Sequence, residues 1–124
     1  MKDKLPSLLQ AQQLQEIAAS KGFDWPHIQL VLDKIQEEIK EFEQSYHQKD
    51  VQGAKEELGD ILFVCANLAR HLKCDAESVL HQANAKFQRR FNGVEEKVCK
   101  SGKAWQDFTL AELEVFWNEV KMIE

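Results

Sequence analysis

Apolar residues recur every three or four positions along most of the chain, and nowhere do they alternate with the two-residue period of a strand. The pattern predicts an all-α protein of about five helices. The first runs from about Leu8 to Ser20, with Ser7 as N-cap after Pro6, Gly22 beyond its end, and Leu8, Leu9, Leu14, Ile17 and Ala18 as its buried stripe. Gly22-Phe23-Asp24-Trp25-Pro26 reads as a connection, because proline disfavours helix at the residue before it. Its two aromatics have two roles open to them, capping the core or lining a pocket, and capping the core is the expectation. The second helix, from about His27 to His47, sets Ile28, Val31, Leu32, Ile35, Ile39, Phe42 and Tyr46 at helical spacing.

The third helix, from about Val51 to Leu72, carries Leu58, Ile61, Leu62, Cys65, Leu68 and Leu72 on one stripe, with Cys65 expected in the core. Phe63, Val64 and Ala66 make it apolar elsewhere too, and such a helix needs cover on more than one side. Five short helices offer few surfaces for this, which predicts a homodimer with the third helix near its interface. Gly59, at a cost of roughly 1 kcal/mol against alanine, is expected to admit a neighbouring backbone or a metal. The fourth helix begins at Asp75 as N-cap and runs towards Lys100, burying Val79, Leu80, Ala83, Phe87, Phe91, Val94 and Val98. Lys100 to Phe108, with Gly102 and no periodicity, reads as a mobile loop. Thr109-Leu110-Ala111-Glu112 is a capping box that opens the last helix, whose apolar surface comes from Leu113, Val115, Phe116 and Val120.

The length of 124 residues fits a single domain, residues 1–124. With 21 acidic against 16 basic residues the net charge is -5, which argues against nucleic acid as a partner, since a phosphate backbone needs a basic stripe. A small anion needs only a local basic pocket. Cys65, Cys74 and Cys99 lack CxxC spacing and suit a reducing cytosol. No apolar stretch spans a bilayer and the start MKDKLP lacks a signal-peptide segment, so a cytoplasmic protein without a membrane partner is expected.

Two acidic runs carry the chemistry, Glu37-Glu38-Ile39-Lys40-Glu41 and Glu56-Glu57-Leu58-Gly59-Asp60. Glu38 and Glu41 share one helix face, as do Glu57 and Asp60, because residues three apart are neighbours on a helix. If the two helices pair, four carboxylates converge. Like charges gathered out of water take up protons or a cation, and all-oxygen ligands favour Mg²⁺ or Mn²⁺. The competing reading is a solvated acidic face. Ile35, Ile39 and Phe42, with Leu58, Ile61 and Leu62, put the acids at the edge of a core and favour the metal. Lys34 is either a surface partner of Glu38 or a phosphate contact. Lys86 and Arg90 share a face of the fourth helix, either solvated or turned to phosphate. Trp117, four residues before Lys121, either packs or stacks on a base. Together these make a layout for a polyphosphate attacked by metal-activated water. His27, His47, His71 and His81 form neither HExxH nor Glu-x-x-His pairs, and there is no Rossmann or P-loop glycine motif.

Glu37-Glu38-x-x-Glu41 followed by Glu57-x-x-Asp60 resembles the EExxE…ExxD signature of the MazG-type nucleoside triphosphate pyrophosphohydrolases, in the all-α NTP pyrophosphatase superfamily. The likeness covers nearly the whole chain, through Gly22-Phe23-Asp24-Trp25, Ala83-Asn84-x-Lys86-Phe87-x-Arg89-Arg90-Phe91 and the closing Trp117 to Lys121 segment. It implies a dimer with a four-helix-bundle core, similar to the C-terminal catalytic domain of members that carry two such domains in tandem. It implies cleavage of a nucleoside triphosphate between the α and β phosphates, giving a monophosphate and pyrophosphate, in nucleotide-pool cleansing. By the resemblance Glu38, Glu41, Glu57 and Asp60 hold Mg²⁺, with Mn²⁺ the alternative. Glu37 and Glu56 are outer groups, phosphate-site contacts or ligands to a further metal, and Asp60 also faces substrate. Lys34, Asn84, Lys86 and Arg90 bind substrate, the basic ones at the triphosphate, while Trp117 and Lys121 close over the nucleotide. Glu37, beside Glu38, is the expected general base. The Gln52-Gly53-Ala54-Lys55 loop departs from the pattern, and Lys55 is left out of the site. Broad base tolerance is expected, since a stacking tryptophan grips any base and no polar groups placed for discrimination are evident. The alternatives are a narrow dUTP or dCTP pyrophosphatase and a non-catalytic helical dimerisation module.

Overall fold

The computed structural model describes residues 5–124. Five α-helices follow one another, α1 (Ser7–Ser20), α2 (Ile28–His47), α3 (Val51–His71), α4 (Ala76–Ser101) and α5 (Leu110–Met122), with a single 3₁₀ turn at Trp105–Asp107. The described residues contain no strand, and the all-α class expected from the periodicity is the one observed. No helix among them is long and apolar enough to cross a membrane. The chain divides into two compact units, Met1–Val79 and Leu80–Glu124, which are taken separately.

In the first unit α3 packs against both α2 and α1. The α2–α3 hairpin turns at Lys49, whose φ of 61° is left-handed, and Asp50 then caps α3 by accepting from the Gly53 N–H at 2.9 Å. A side chain at position 53 would collide with that carboxylate, so glycine and cap belong together. At the end of α1, Gly22 (φ 87°) closes a Schellman turn in which the Phe23 N–H reaches the Ala18 carbonyl at 3.0 Å. The start of α1 departs from expectation. Ser7 lies inside the helix and makes no cap, because the Pro6 carbonyl already accepts from the Gln10 N–H at 2.9 Å.

The buried face of α1 also differs from the expected stripe. Leu14 and Ile17 are exposed, whereas Ala11, Gln12 and Gln15 are buried. Ala11, Ala66, Ala69 and Ala76 form the contact, small enough to let the backbones come close. At that distance the Gln12 carboxamide donates to the carbonyls of Ala66 (3.2 Å) and Cys74 (3.1 Å) and accepts from the Ala76 N–H (3.1 Å). The Ala76 N–H is one of the groups that the start of α4 leaves open, and the three bonds brace the corner between α3 and α4.

The same shift recurs elsewhere. On α2 only Val31 and Glu38 are buried, and Leu32, Ile39 and Tyr46 are exposed. On α3 the interior is Ala54, Val64, Ala66, Asn67 and Ala69, while Leu58, Leu62, Cys65 and Leu72 lie exposed, so Cys65 is not a core residue. The larger apolar side chains flank a seam of small ones, and no part of the unit covers them. Gly59 faces open space, and no backbone of the described residues approaches it, so of the two approaches expected there that of a backbone is not made.

In the second unit Val94 and Val98 of α4 pack on Val120 of α5, flanked by Phe108, Leu113, Phe116 and Trp117. Gly93 permits this approach, since a Cβ there would lie 2.8 Å from the Val120 side chain. Leu80, Phe87 and Val115 are exposed, not buried. So is Val79, the last residue of the first unit. Asp75 caps α4 as expected, accepting from the Glu77 N–H at 2.9 Å. The segment expected to be a mobile loop is a bonded turn, in which the Ala104 N–H donates to Asp107 (3.0 Å) and Trp105 stacks on Phe91. The Thr109–Glu112 capping box is present, with bonds of 2.8 and 3.1 Å.

Candidate active site

Glu38 follows Val31 by two helical turns, and both lie on the face of α2 that is buried. The carboxylate of Glu38 is thus carried inward, and its residue is only 5% exposed. Two groups of acids meet there. Glu37, Glu38 and Glu41 form one along α2, and Glu38, Glu57 and Asp60 form the other across the hairpin; within each, carboxylate oxygens lie within 4.8 Å of one another. The spacing of three seen in the sequence therefore brings the acids of both runs together, with Glu38 shared. Glu56 is exposed and belongs to neither group.

Among the described residues a single cation is paired with this cluster. Lys34 Nζ lies 3.0 Å from Glu38 Oε1 and 3.3 Å from Glu37 Oε1, and the bond to Lys34 holds the Glu38 carboxyl below its ordinary range. Glu57 is pushed the other way, first by its hydrogen bond with Glu38, then by desolvation and the charges of Glu41, Glu38 and Asp60. Desolvation and the charges of Glu38 and Glu37 raise Glu41 as well. Glu38 and Glu57, bonded to each other, are thus shifted in opposite directions, Glu38 down and Glu57 up.

Glu38 Oε2 is buried and, among the described residues, has no hydrogen-bond partner. An orphaned carboxylate oxygen at the centre of repelling acids is the feature a divalent cation answers, and a set of hard oxygen donors fits Mg²⁺ or Mn²⁺ chemistry. The cluster can hold a metal ion.

The other expected substrate groups lie in the second unit. There Arg90 sits over the Trp117 ring, 6.0 Å from its centroid, and Trp117 packs against Phe87 at 5.3 Å. Arg90 also donates to Glu124 at 2.9 Å, as does Arg89 at 3.0 Å. Asn84, Lys86 and Lys121 are exposed.

Beside α3, one turn past Asp60, opens a cavity of about 330 Å³ lined by Gln15, Phe23, Trp25, Phe63, Asn67 and Arg70. Phe23 is 83% exposed, so it caps no core, and both connection aromatics line this pocket instead. Arg70 holds the connection in place. Its guanidinium bonds Asp24 at 2.5 Å, Glu16 at 3.1 Å and Asn67 Oδ1 at 2.9 Å. Sequence reasoning missed Gln15, Asn67 and Arg70. The signal for Asn67 was there, a lone carboxamide in the apolar run from Ile61 to Leu68.

Helices that pool carboxylates around a buried, unpartnered oxygen define an all-α domain with a site for a hard cation. The profile of the MazG nucleotide pyrophosphohydrolase domain matches residues 27–94, which contain every acid of the cluster. The nucleoside triphosphate pyrophosphohydrolase of Escherichia coli (strain K12) is 44% identical over 122 residues, covering 97% of this chain and 46% of that protein. The nucleoside triphosphate pyrophosphohydrolase/pyrophosphatase MazG of Thermotoga maritima is 38% identical over 117 residues, covering 94% and 45%. The chain belongs to the MazG nucleotide pyrophosphohydrolase domain family, and it spans about half the length of the curated relatives it matches.

Proposed function

We propose that the chain is a Mg²⁺-dependent hydrolase that cleaves nucleoside triphosphates between the α and β phosphates, releasing a monophosphate and pyrophosphate. The observation that supports this most directly is the buried Glu38, common to two acid groups and left with one oxygen unpartnered. Glu38, Glu41, Glu57 and Asp60 hold the ion in this reading. When bound, Mg²⁺ supplies charge neutralisation at the phosphate oxygens and lowers the pKa of a bound water.

The chain's own groups do the rest. Glu37 is exposed beside the cluster and takes the proton of the attacking water as general base. Lys34, already bonded to Glu37 and Glu38, offers its ammonium to a phosphate oxygen. Asn84, Lys86, Arg90, Trp117 and Lys121 supply further substrate contacts, and Glu56 is an outer group. Water adds at phosphorus, the α–β bridge opens, and pyrophosphate leaves.

In this reading residues 1–124 act as one catalytic domain, the protein works in the cytoplasm on free nucleotides of varied base, and neither nucleic acid nor membrane is a partner. The uncovered faces of α2 and α3, with Leu32, Ile39, Leu58 and Leu62 exposed, are covered by a second copy. Pyrophosphate release from a panel of nucleoside triphosphates, with Mg²⁺ and with chelator, tests the activity. Release with Mg²⁺ alone is expected for several bases; release confined to dUTP or dCTP shows a narrow enzyme, and none from any nucleotide overturns the proposal.

A further inference from the structure

Arg89 and Arg90 are successive residues of α4, and such neighbours on a helix project about 100° apart instead of facing each other. One carboxylate nevertheless gathers them. Glu124 Oε1 accepts from Arg90 Nε at 2.9 Å, and Glu124 Oε2 accepts from Arg89 Nε at 3.0 Å. The two guanidiniums, Arg89 first and then Arg90, hold the Glu124 carboxyl below its ordinary range, so it stays ionised between them. The place of Glu124 follows from the packing of α5. Val120 is buried against Val94, and Glu124 lies one turn beyond Val120 as Arg90 lies one turn before Val94.

Stability is a poor reason for this arrangement. The Arg89 side chain is 60% exposed, and ion pairs so open to water add little to folding. The bonds themselves point elsewhere. A guanidinium carries a fork of two Nη groups besides Nε, and the fork is what matches the edge of a phosphate. Glu124 takes only Nε from each arginine, and among the described residues neither fork bonds to the protein. Arg90 is fixed further by Trp117, whose ring centroid lies 6.0 Å from the guanidinium carbon, and only 18% of its side chain is exposed. Two cations are thus pinned side by side with their phosphate-binding donors unspent.

We propose that Glu124 is a positioning residue for substrate, holding Arg89 and Arg90 by Nε so that their Nη forks form one site for the phosphates of a nucleoside triphosphate. An arginine loses much rotamer freedom when it grips a ligand. Here that freedom is already lost before substrate arrives, and the carboxylate also offsets the repulsion that would part the two cations. Arg89 thereby joins Arg90 as a contact, while Glu124 acts through both without touching the ligand. The inference rests on the reading of the chain as a nucleotide pyrophosphohydrolase.

The test measures equilibrium binding of an α,β-imido analogue of ATP, with Mg²⁺, to the full chain and its variants. Glu124→Ala should weaken binding about tenfold, the cost of ordering two arginines on the ligand. Glu124→Gln should weaken it about threefold, because its carboxamide oxygen still accepts from one arginine. In pyrophosphate release the loss should fall on KM, with kcat little changed. Charge alone predicts the opposite sign, since removing an anion beside a phosphate site tightens that site. Tighter or unchanged binding in Glu124→Ala therefore overturns the inference. Nuclear magnetic resonance of the unaltered chain supplies a check that needs no variant. The Arg90 Nε–H signal should keep its bonded position when the analogue binds; a move to the position of mobile arginines shows Glu124 displaced and overturns the inference as well. Weakened binding in the variant, without pyrophosphate release from the unaltered chain, retains the positioning role and removes the hydrolytic reading. Release with binding unchanged in the variant does the reverse, and no binding of the analogue by the unaltered chain overturns the inference.

Discussion

The two ends of α3 treat charge in opposite ways. In its first half, Glu57 and Asp60 join Glu38, Glu41 and Glu37 with Lys34 as the paired cation, and the carboxyl of Glu57 is raised by its bond with Glu38 and that of Glu41 by desolvation, with repulsion adding to both. Near its end, Arg70 meets Asp24, Glu16 and Asn67 together, and the Asp24 carboxyl is drawn down. One end is left short of positive charge and the other is internally balanced. Stability explains the balanced end, but the acidic end works against folding, a cost that a bound cation would relieve.

The largest effect that separates the two ends is expected from Glu57→Gln. A carboxyl raised in the folded state disfavours folding once the pH exceeds its ordinary value, so neutralising it should raise the melting temperature of the metal-free chain. The same change should abolish stabilisation by Mg²⁺ and cut pyrophosphate release by about 10²–10³. A melting temperature that falls, with activity intact, would place the acids in a purely structural role.

Arg70→Met attacks the other end and should cost about 2–3 kcal/mol in denaturant unfolding, because it strands Asp24 and the buried Asn67 oxygen. Added Mg²⁺ should not restore that loss. The pH dependence sharpens the contrast further. Asp24 is lowered chiefly by its bond to Arg70, so its contribution is present above the ordinary carboxylate value of 3.8 and disappears as the pH falls through the lower folded value. Unfolding midpoints followed from pH 5 down to about pH 2 should therefore drop less steeply in Asp24→Asn than in the unaltered chain. The smallest effect is at Lys73, just past the end of α3, whose φ is 61°. Lys73→Gly relieves a left-handed lysine and should add about 0.5–1 kcal/mol, with no change in Mg²⁺ binding.

Most local signals in the sequence held, although the Ser7 cap and the mobile loop at 100–108 did not. Helix periodicity, the Thr109 capping box, the Asp75 cap and the three-residue spacing of the acids depend on neighbours along the chain, and all appear in the structure. Which apolar face turns inward depends on what packs against it. Periodicity favoured Leu14, Ile17, Leu58 and Leu62, yet the helices meet along alanines, whose small size lets them approach and leaves the leucines outside. Gln15 and Phe23 escaped for the same reason. A glutamine in a polar stretch and a phenylalanine beside glycine gain meaning only once α3 supplies a carbonyl and a cavity wall.

The profile shared by the family starts at residue 27, but the polar seam between α3 and α4 is closed by residue 12. Gln12 works as a splint, bonding the Ala66 and Cys74 carbonyls and meeting the Ala76 N–H that the start of α4 leaves open. Trimming the chain to the stretch that the family profile matches would remove the splint while leaving every acid in place. Such a fragment would retain its acids and lose the bracing at the far end of α3.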